Sequence, residues 1–151
     1  MVSEQAPEQL APQQSEDVVF RVMELLDVTV TLPATHGEVQ LTETESPYRV
    51  LSFPIGLAEA ASLAMARDGS AGARPTTHEL FSEVLGLVNV DVIALRITAR
   101  SEGTYLAELD LMSQRGREVI ACRPSDGLIL CLRQTVTAPV LVNELLLDLA
   151  S

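Results

Sequence analysis

The alternation of apolar and polar positions predicts that the chain begins with β-strands. Val28, Val30 and Leu32 alternate with threonines in a strand that starts near Val18 and has an irregularity near Glu24. A turn is predicted at Pro33 and His36-Gly37. The same pattern, with β-branched and aromatic residues between turn residues, predicts further strands over 39–42, 48–53, 90–100, 105–112 and 118–122, and a short one beginning at 140.

A helical period replaces this alternation in four places. Apolar residues recur three and four positions apart after Gly56, from Thr76 or Thr77 to about Val88, over 128–133 and near the end of the chain to Leu149. The stripe of the second helix is Leu80, Phe81, Val84, Leu85 and Val88. Runs of strands interleaved with helices predict an α+β fold, a mixed sheet with helices packed on it in a single compact domain.

Composition sets the domain boundary and the class of partner. Residues 1–16 carry three glutamates and little to bury, so we expect a disordered acidic leader before a domain over 17–151. The net charge is −11, with ten arginines, no lysine, five aromatic residues and no tryptophan. This balance disfavours broad binding of nucleic acid or of an anionic membrane, so any phosphate contact must be local.

Segments that would direct the chain to a membrane or out of the cell are not evident. No apolar run approaches the roughly 20 residues of a membrane-spanning helix, and the first residues lack the basic and apolar regions of a signal peptide. We therefore expect a cytoplasmic protein. Cys122 and Cys131 lie in apolar sequence without a CxxC pair and with only two histidines in the chain, which indicates buried reduced thiols rather than a zinc site.

Two segments, 49 residues apart, share one local pattern in which Arg-Pro precedes a hydroxyl residue. They are Arg74-Pro75-Thr76-Thr77-His78-Glu79 and Arg123-Pro124-Ser125-Asp126. Proline keeps the preceding arginine extended, and Ser or Thr can cap a new helix. Each helix start would then offer free backbone N–H groups beside a guanidinium, which suits a phosphate or a carboxylate. Helix capping alone explains the same pattern, and both interpretations stay open.

If the two helix starts converge, they form a small polar cluster in an otherwise apolar protein. The candidate catalytic residues are His78, Glu79 and Asp126, and the candidate substrate-binding residues are Arg74, Thr77, Arg123 and Ser125. An imidazole among carboxylates can act as a general base or, with Mg²⁺ or Mn²⁺, support phosphodiester hydrolysis. The alternative is that His78 is structural and that the acidic residues only favour the helix dipoles. Glu59, on the polar side of the first helix, is a further candidate.

These motifs carry a resemblance. The run Phe53-Pro54-Ile55-Gly56-Leu57-Ala58-Glu59-Ala60 and the two Arg-Pro blocks, in this order and spacing, resemble the bifunctional nuclease family over about Val19 to Leu147. The resemblance implies an α+β fold, a tendency to form homodimers and a nuclease activity toward RNA and DNA. The chain departs from the family pattern at Ala121, where an acidic residue is usual, at Gly127, where alanine is usual, and at Cys122, which replaces a small residue.

Two functions follow from the sequence. The first is a nuclease that hydrolyses phosphodiester bonds, and the low number of aromatic residues and the negative charge favour a small nucleotide or short oligonucleotide as its substrate. The second is a non-enzymatic dimeric interaction or regulatory module whose polar cluster is structural or binds a small anion.

Overall fold

Seven strands form one mixed sheet in the computed structural model, which describes residues 17–33 and 35–150. The strands are β1 (Phe20–Val30), β2 (His36–Glu43), β3 (Val50–Gly56), β4 (Asp91–Ser101), β5 (Thr104–Ser113), β6 (Gly116–Cys122) and β7 (Val140–Asn143). The helices are α1 (Leu57–Asp68), α2 (Thr77–Leu87), α3 (Pro124–Leu132) and α4 (Glu144–Ala150). The predicted α+β class and mixed sheet are confirmed. The predicted leader over 1–16 lies outside the described residues.

The order of strands in the sheet is β3-β2-β1-β7-β4-β5-β6. Adjacent strands run antiparallel except for β4 and β7, which are parallel. The late strand β7 therefore joins two antiparallel blocks, β1–β3 and β4–β6, into one sheet. No helix within the described ranges has both the length and the apolar character needed to cross a lipid bilayer.

Helices α1 and α3 contact each other and cover neighbouring parts of the sheet, α1 against β1–β3 and α3 against β4 and β5. Strand β3 alternates buried and exposed residues, as expected for a sheet with one covered face. The core includes Leu63 of α1, Leu95 and Ile97 of β4, and Leu128 and Ile129 of α3, each at most 1% exposed. Because α1 and α3 share this core, their first turns lie near one another.

Two local predictions were wrong and one was close. The predicted turn is present at Pro33 but does not extend to His36 and Gly37. These two residues open β2, where a Cβ at position 37 would lie 2.7 Å from Cβ of Ala60 in α1. Gly37 therefore allows a helix to pack closely on a strand. Tyr48, expected in a strand, has φ = 60° in the turn before β3. The expected irregularity of the first strand exists as a register shift between Leu25 and Asp27, slightly later than expected.

Helix α2 differs from its predicted packing. It has the expected bounds, but none of its residues is buried. Its apolar side chains are strongly exposed: Leu80 54%, Phe81 45%, Val84 45%, Leu87 76% and Val88 59%. Within one copy of the chain, this stripe is covered only in part.

Candidate functional site

The starts of α2 and α3 converge, which meets the condition on which the candidate site depends. His78 lies in the first turn of α2 and Asp126 in the first turn of α3, 48 residues apart in the chain. Nε2 of His78 is 2.8 Å from Oδ1 of Asp126. Thr76 caps α2 by accepting a hydrogen bond from the backbone N–H of Glu79, and Pro124 occupies the first turn of α3. The predicted hydroxyl cap is confirmed for α2 but wrong for α3, where Arg123 is the cap residue, no side chain caps the helix and Ser125 lies within its first turn.

Arg123 connects this pair to α1. Its Nε and Nη2 donate to the two carboxylate oxygens of Asp126 at 2.7 and 3.2 Å, and Nη2 is 3.2 Å from Oε1 of Glu59. Partial burial opposes ionisation of Asp126, but the hydrogen bonds from Arg123 and His78 outweigh it and hold the pKa of this carboxyl below its ordinary value. Asp126 is therefore an acceptor at neutral pH. Glu59, a weaker candidate in the sequence, belongs to the group.

Ser62 is the member of the group that sequence reasoning missed. Its hydroxyl lies 3.0 Å from Nδ1 of His78, and the residue is only 7% exposed. Ser62 follows Glu59 by three positions on α1, so the two share one side of the helix. A polar residue in an otherwise Ala-rich apolar run was the available signal.

The hydrogen-bond partners define how His78 carries its proton. An ionised carboxylate can only accept, so the bond to Asp126 requires a hydrogen on Nε2. In a neutral imidazole Nδ1 is then the acceptor, and the Ser62 hydroxyl donates to it. We call Ser62, His78, Asp126, Arg123 and Glu59 the His78 cluster.

The His78 cluster forms the polar end of an open cavity of about 720 Å³, the main cavity. The rest of its wall is largely apolar and comes from α1, α2, α3, β5 and β6, with Met65, Phe81, Leu109, Ile120 and Leu130 among its residues. A side cavity of about 260 Å³ lies on the other side of Arg123 and Glu59, and its wall includes Tyr105 and Ser125. Arg123 thus faces two adjoining spaces.

The sequence model for a bifunctional nuclease domain matches residues 39–151, a range that contains the whole His78 cluster. The chain belongs to the bifunctional nuclease family. Two proteins of Mycobacterium tuberculosis are similar to it, Uncharacterized protein MT1877 of strain CDC 1551 / Oshkosh and Uncharacterized protein Rv1829 of strain ATCC 25618 / H37Rv. Each is 32% identical over 123 residues, which cover 82% of this chain and 71% of the relative.

Some predicted site residues of this bifunctional nuclease family member lie apart from the cluster. Oε1 of Glu79 accepts a hydrogen bond from Oγ1 of the cap residue Thr76 at 3.2 Å and also lies 3.6 Å from Nη2 of Arg133. Arg74 is exposed and makes no hydrogen bond or ion pair with the described part of the chain. Thr77 lines the main cavity, whereas Ser125 lines only the side cavity.

The donor set does not fit a divalent metal ion. Across residues 17–33 and 35–150, no group of three or more His, Cys, Asp or Glu side chains could hold one. The two carboxylates of the cluster, on Glu59 and Asp126, already pair with Arg123. A divalent metal ion at the cluster would therefore have to displace Arg123 from these carboxylates, so no ligand set for Mg²⁺ or Mn²⁺ is preformed among the described residues.

The departures from the family pattern have local explanations. Cys122 and Ile120 line the main cavity, so Ala121, between them on β6, faces the opposite side of the sheet, and an acidic residue there would not reach the cavity. Burial, with the charges of Asp126 and Glu108, raises the pKa of the Cys122 thiol to about 11. Cys122 is only partly buried, unlike Cys131, and both thiols are free.

Gly127 is the third departure. A Cβ at this position would collide with Cδ1 of Leu95, whose side chain is fully buried, and would lie 3.2 Å from Sγ of Cys122. Glycine here therefore accommodates the larger side chains of Leu95 and Cys122.

Proposed function

We propose that this protein is a nuclease that hydrolyses phosphodiester bonds in RNA or DNA at the His78 cluster. Membership of the bifunctional nuclease family supports the reaction class. The observation that carries the proposal is the hydrogen bond between His78 and Asp126 at the polar end of a cavity large enough for a nucleotide. An imidazole held by a carboxylate is the common form of a general base in hydrolases.

The residues around the cavity have different roles in the proposed reaction. Asp126 keeps the Nε2 proton of His78 in place and stabilises the imidazolium that forms when Nδ1 accepts a proton. Arg123, with a side chain 67% exposed, offers the guanidinium that a phosphate would contact between the main and side cavities. Thr77 and Ser125 would add hydroxyl contacts in the main and side cavities, respectively.

Electrostatics restrict the size of the substrate. Glu59 and Asp126 outnumber Arg123 by one charge when His78 is neutral, and the whole chain carries −11. A long polyanion would be repelled over its whole length, whereas a short one meets only the local field. We therefore propose a mononucleotide ester or short single-stranded oligonucleotide as the substrate.

The test is cleavage of short single-stranded RNA and DNA oligonucleotides by the purified full chain. We expect cleavage above a mock preparation, in EDTA as well as in Mg²⁺, because the donor set does not fit a metal. His78→Ala and Asp126→Ala should abolish it. His36→Ala is the matched control, since the other histidine is exposed at the start of β2.

Absence of cleavage by the wild-type protein would refute the nuclease and favour the alternative, a non-enzymatic dimeric interaction or regulatory module.

The two free thiols support a cytoplasmic site of action for either function, since reduced cysteines persist there.

We also propose that the protein is a homodimer in which the exposed apolar stripe of α2 forms the interface. Leu80 of the stripe is 54% exposed, the adjacent Leu87 is 76% exposed, and no residue of the helix is buried, which is unusual for a monomer. A two-fold axis would place the same stripe of a second copy against it. Light scattering should report about twice the chain mass of 16.3 kDa, and Leu87→Glu should halve it; a mass of 16.3 kDa at all micromolar concentrations would refute the dimer.

A further inference from the structure

We propose that Ser62 is the nucleophile and that cleavage passes through a covalent phosphoseryl intermediate. This inference rests on the proposed phosphodiester hydrolysis and adds the atom that attacks phosphorus. It follows from the hydrogen-bond partners of the two ring nitrogens of His78. Asp126 accepts a hydrogen bond from Nε2, and the Ser62 hydroxyl donates one to Nδ1.

His78 can accept a proton only at the ring nitrogen that carries no hydrogen. With hydrogen on Nε2, the basic nitrogen is Nδ1, and its hydrogen-bond partner in the structure is Oγ of Ser62 at 3.0 Å. The hydroxyl proton of Ser62 is therefore the one already aligned for transfer. A base whose lone pair points at a serine hydroxyl activates that serine as a nucleophile.

Ser62 must also be accessible to the substrate. Ser62 is mostly buried but forms part of the wall of the main cavity, beside His78 and near Arg123. A phosphodiester that enters this cavity would meet Ser62 at the same end as the guanidinium. Ser125 is similarly buried but lines only the side cavity, and none of the described hydrogen bonds joins it to His78.

The proposed reaction requires no metal ion, and water is the only reactant besides the substrate. Oγ of Ser62 attacks phosphorus as its proton passes to Nδ1 of His78, an O–P bond forms, and the bond from phosphorus to the leaving oxygen breaks. That oxygen lies opposite Oγ in an in-line displacement, so it takes a proton from solvent water and departs as an alcohol, and the hydroxide so formed takes the proton of the imidazolium. Water, deprotonated by His78, then attacks phosphorus, and the Ser62 oxygen leaves with the proton, which regenerates the hydroxyl and releases a phosphomonoester.

The first experiment measures the reactivity of the Ser62 hydroxyl in the absence of nucleic acid. The full chain is incubated with an alkyl fluorophosphonate, an uncharged electrophile that phosphorylates activated serines, and the modified residue is located by mass spectrometry. We expect Ser62 to be labelled, and His78→Asn to lower the rate of labelling at least about 100-fold. Ser82→Ala is the matched control, because the Ser82 hydroxyl is on α2, one turn from His78, and has no hydrogen-bond partner within residues 17–33 and 35–150.

The second experiment measures cleavage in Ser62→Ala. This substitution removes one hydroxyl and keeps the small volume, and the thermal unfolding midpoint verifies that the variant is folded. Cleavage of the oligonucleotides should fall at least about 1,000-fold. Acid quenching of the wild-type reaction with a 5′-labelled oligonucleotide should also yield a covalent adduct on the peptide that contains Ser62.

The outcomes distinguish the inference from the function on which it rests. Cleavage at the wild-type rate by folded Ser62→Ala would refute Ser62 as the nucleophile but not the nuclease activity. Absence of Ser62 labelling in a protein that cleaves oligonucleotides would do the same. Labelling of Ser62 that depends on His78, in a protein that cleaves no oligonucleotide, would uphold the nucleophile and refute the nuclease. Labelling unaffected by His78→Asn would overturn the proposed activation.

Discussion

Substitution of Arg123 by glutamine separates a structural role from a functional one. The change removes the two hydrogen bonds to Asp126 and the ion pair with Glu59. Because the Arg123 side chain is 67% exposed, each pair is worth at most about 1 kcal/mol, so the free energy of unfolding should fall by about 1 kcal/mol. The pKa of Asp126 should rise toward its ordinary value, since its strongest hydrogen-bond donor is lost.

The effect on activity should be much larger. A charged donor that contacts the phosphate in the transition state is worth about 100- to 1,000-fold in rate, so Arg123→Gln should lose that much cleavage while remaining folded. Urea unfolding gives the stability, and initial rates on a short oligonucleotide give the activity. Arg115→Gln is the control, because Arg115 lies in the turn before β6, outside the main cavity. A loss of more than about 3 kcal/mol in stability, or an unchanged rate, would refute this reasoning.

Three further predictions concern stability and thiol chemistry. Hydrogen bonds from Arg49 lower the pKa of buried Glu43 from 4.5 to about 2, so its contribution to stability is complete above about pH 4.5 and is lost as the pH falls toward 2. Glu43→Gln should therefore flatten the acid side of the urea-unfolding profile, and an unchanged profile would contradict the assignment. Gly127→Ala should destabilise the fold by about 1 kcal/mol in urea unfolding, because overpacking against Leu95 exceeds the gain in helix propensity; a more stable variant would show that the site relaxes freely. Cys122, with a pKa of about 11, should react with iodoacetamide at pH 8 roughly 100-fold more slowly than in the urea-unfolded chain, and equal rates would contradict its burial.

Much of the fold could be predicted from the periodicity of apolar residues, because period and burial are directly linked in β2–β5. In α1 the period predicted the helix but not its buried face, since Leu57 and Ala61 are exposed whereas Ser62 is buried. The errors lie where the packing partner is distant in sequence. Gly37 has the composition of a turn, but it is in a strand because Ala60 of α1 packs against it. Likewise, the stripe of α2 has the period of a buried helix, yet the described chain covers it only in part, at Leu85.

The candidate site could be predicted in part, because capping rules located the starts of α2 and α3. Their convergence was a condition that periodicity could not establish, since it depends on how α3 packs against α1 and the sheet. Glu79 illustrates the limit, because a first-turn glutamate fits both a catalytic acid and a residue that supports the helix cap, and its contact with Thr76 favours the second. Ser62 stands out in the sequence only as a polar residue in an Ala-rich run, and its role depends on His78, which lies 16 residues away on another helix.

The most direct test of the central claim is the protonation of the His78 ring, measured by ¹⁵N NMR at pH 8. We predict hydrogen on Nε2, bonded to Asp126, and Nδ1 as an acceptor from Ser62, in one stable tautomer that Asp126→Asn perturbs. Hydrogen on Nδ1, or two tautomers in rapid exchange, would contradict the arrangement on which the proposed chemistry depends.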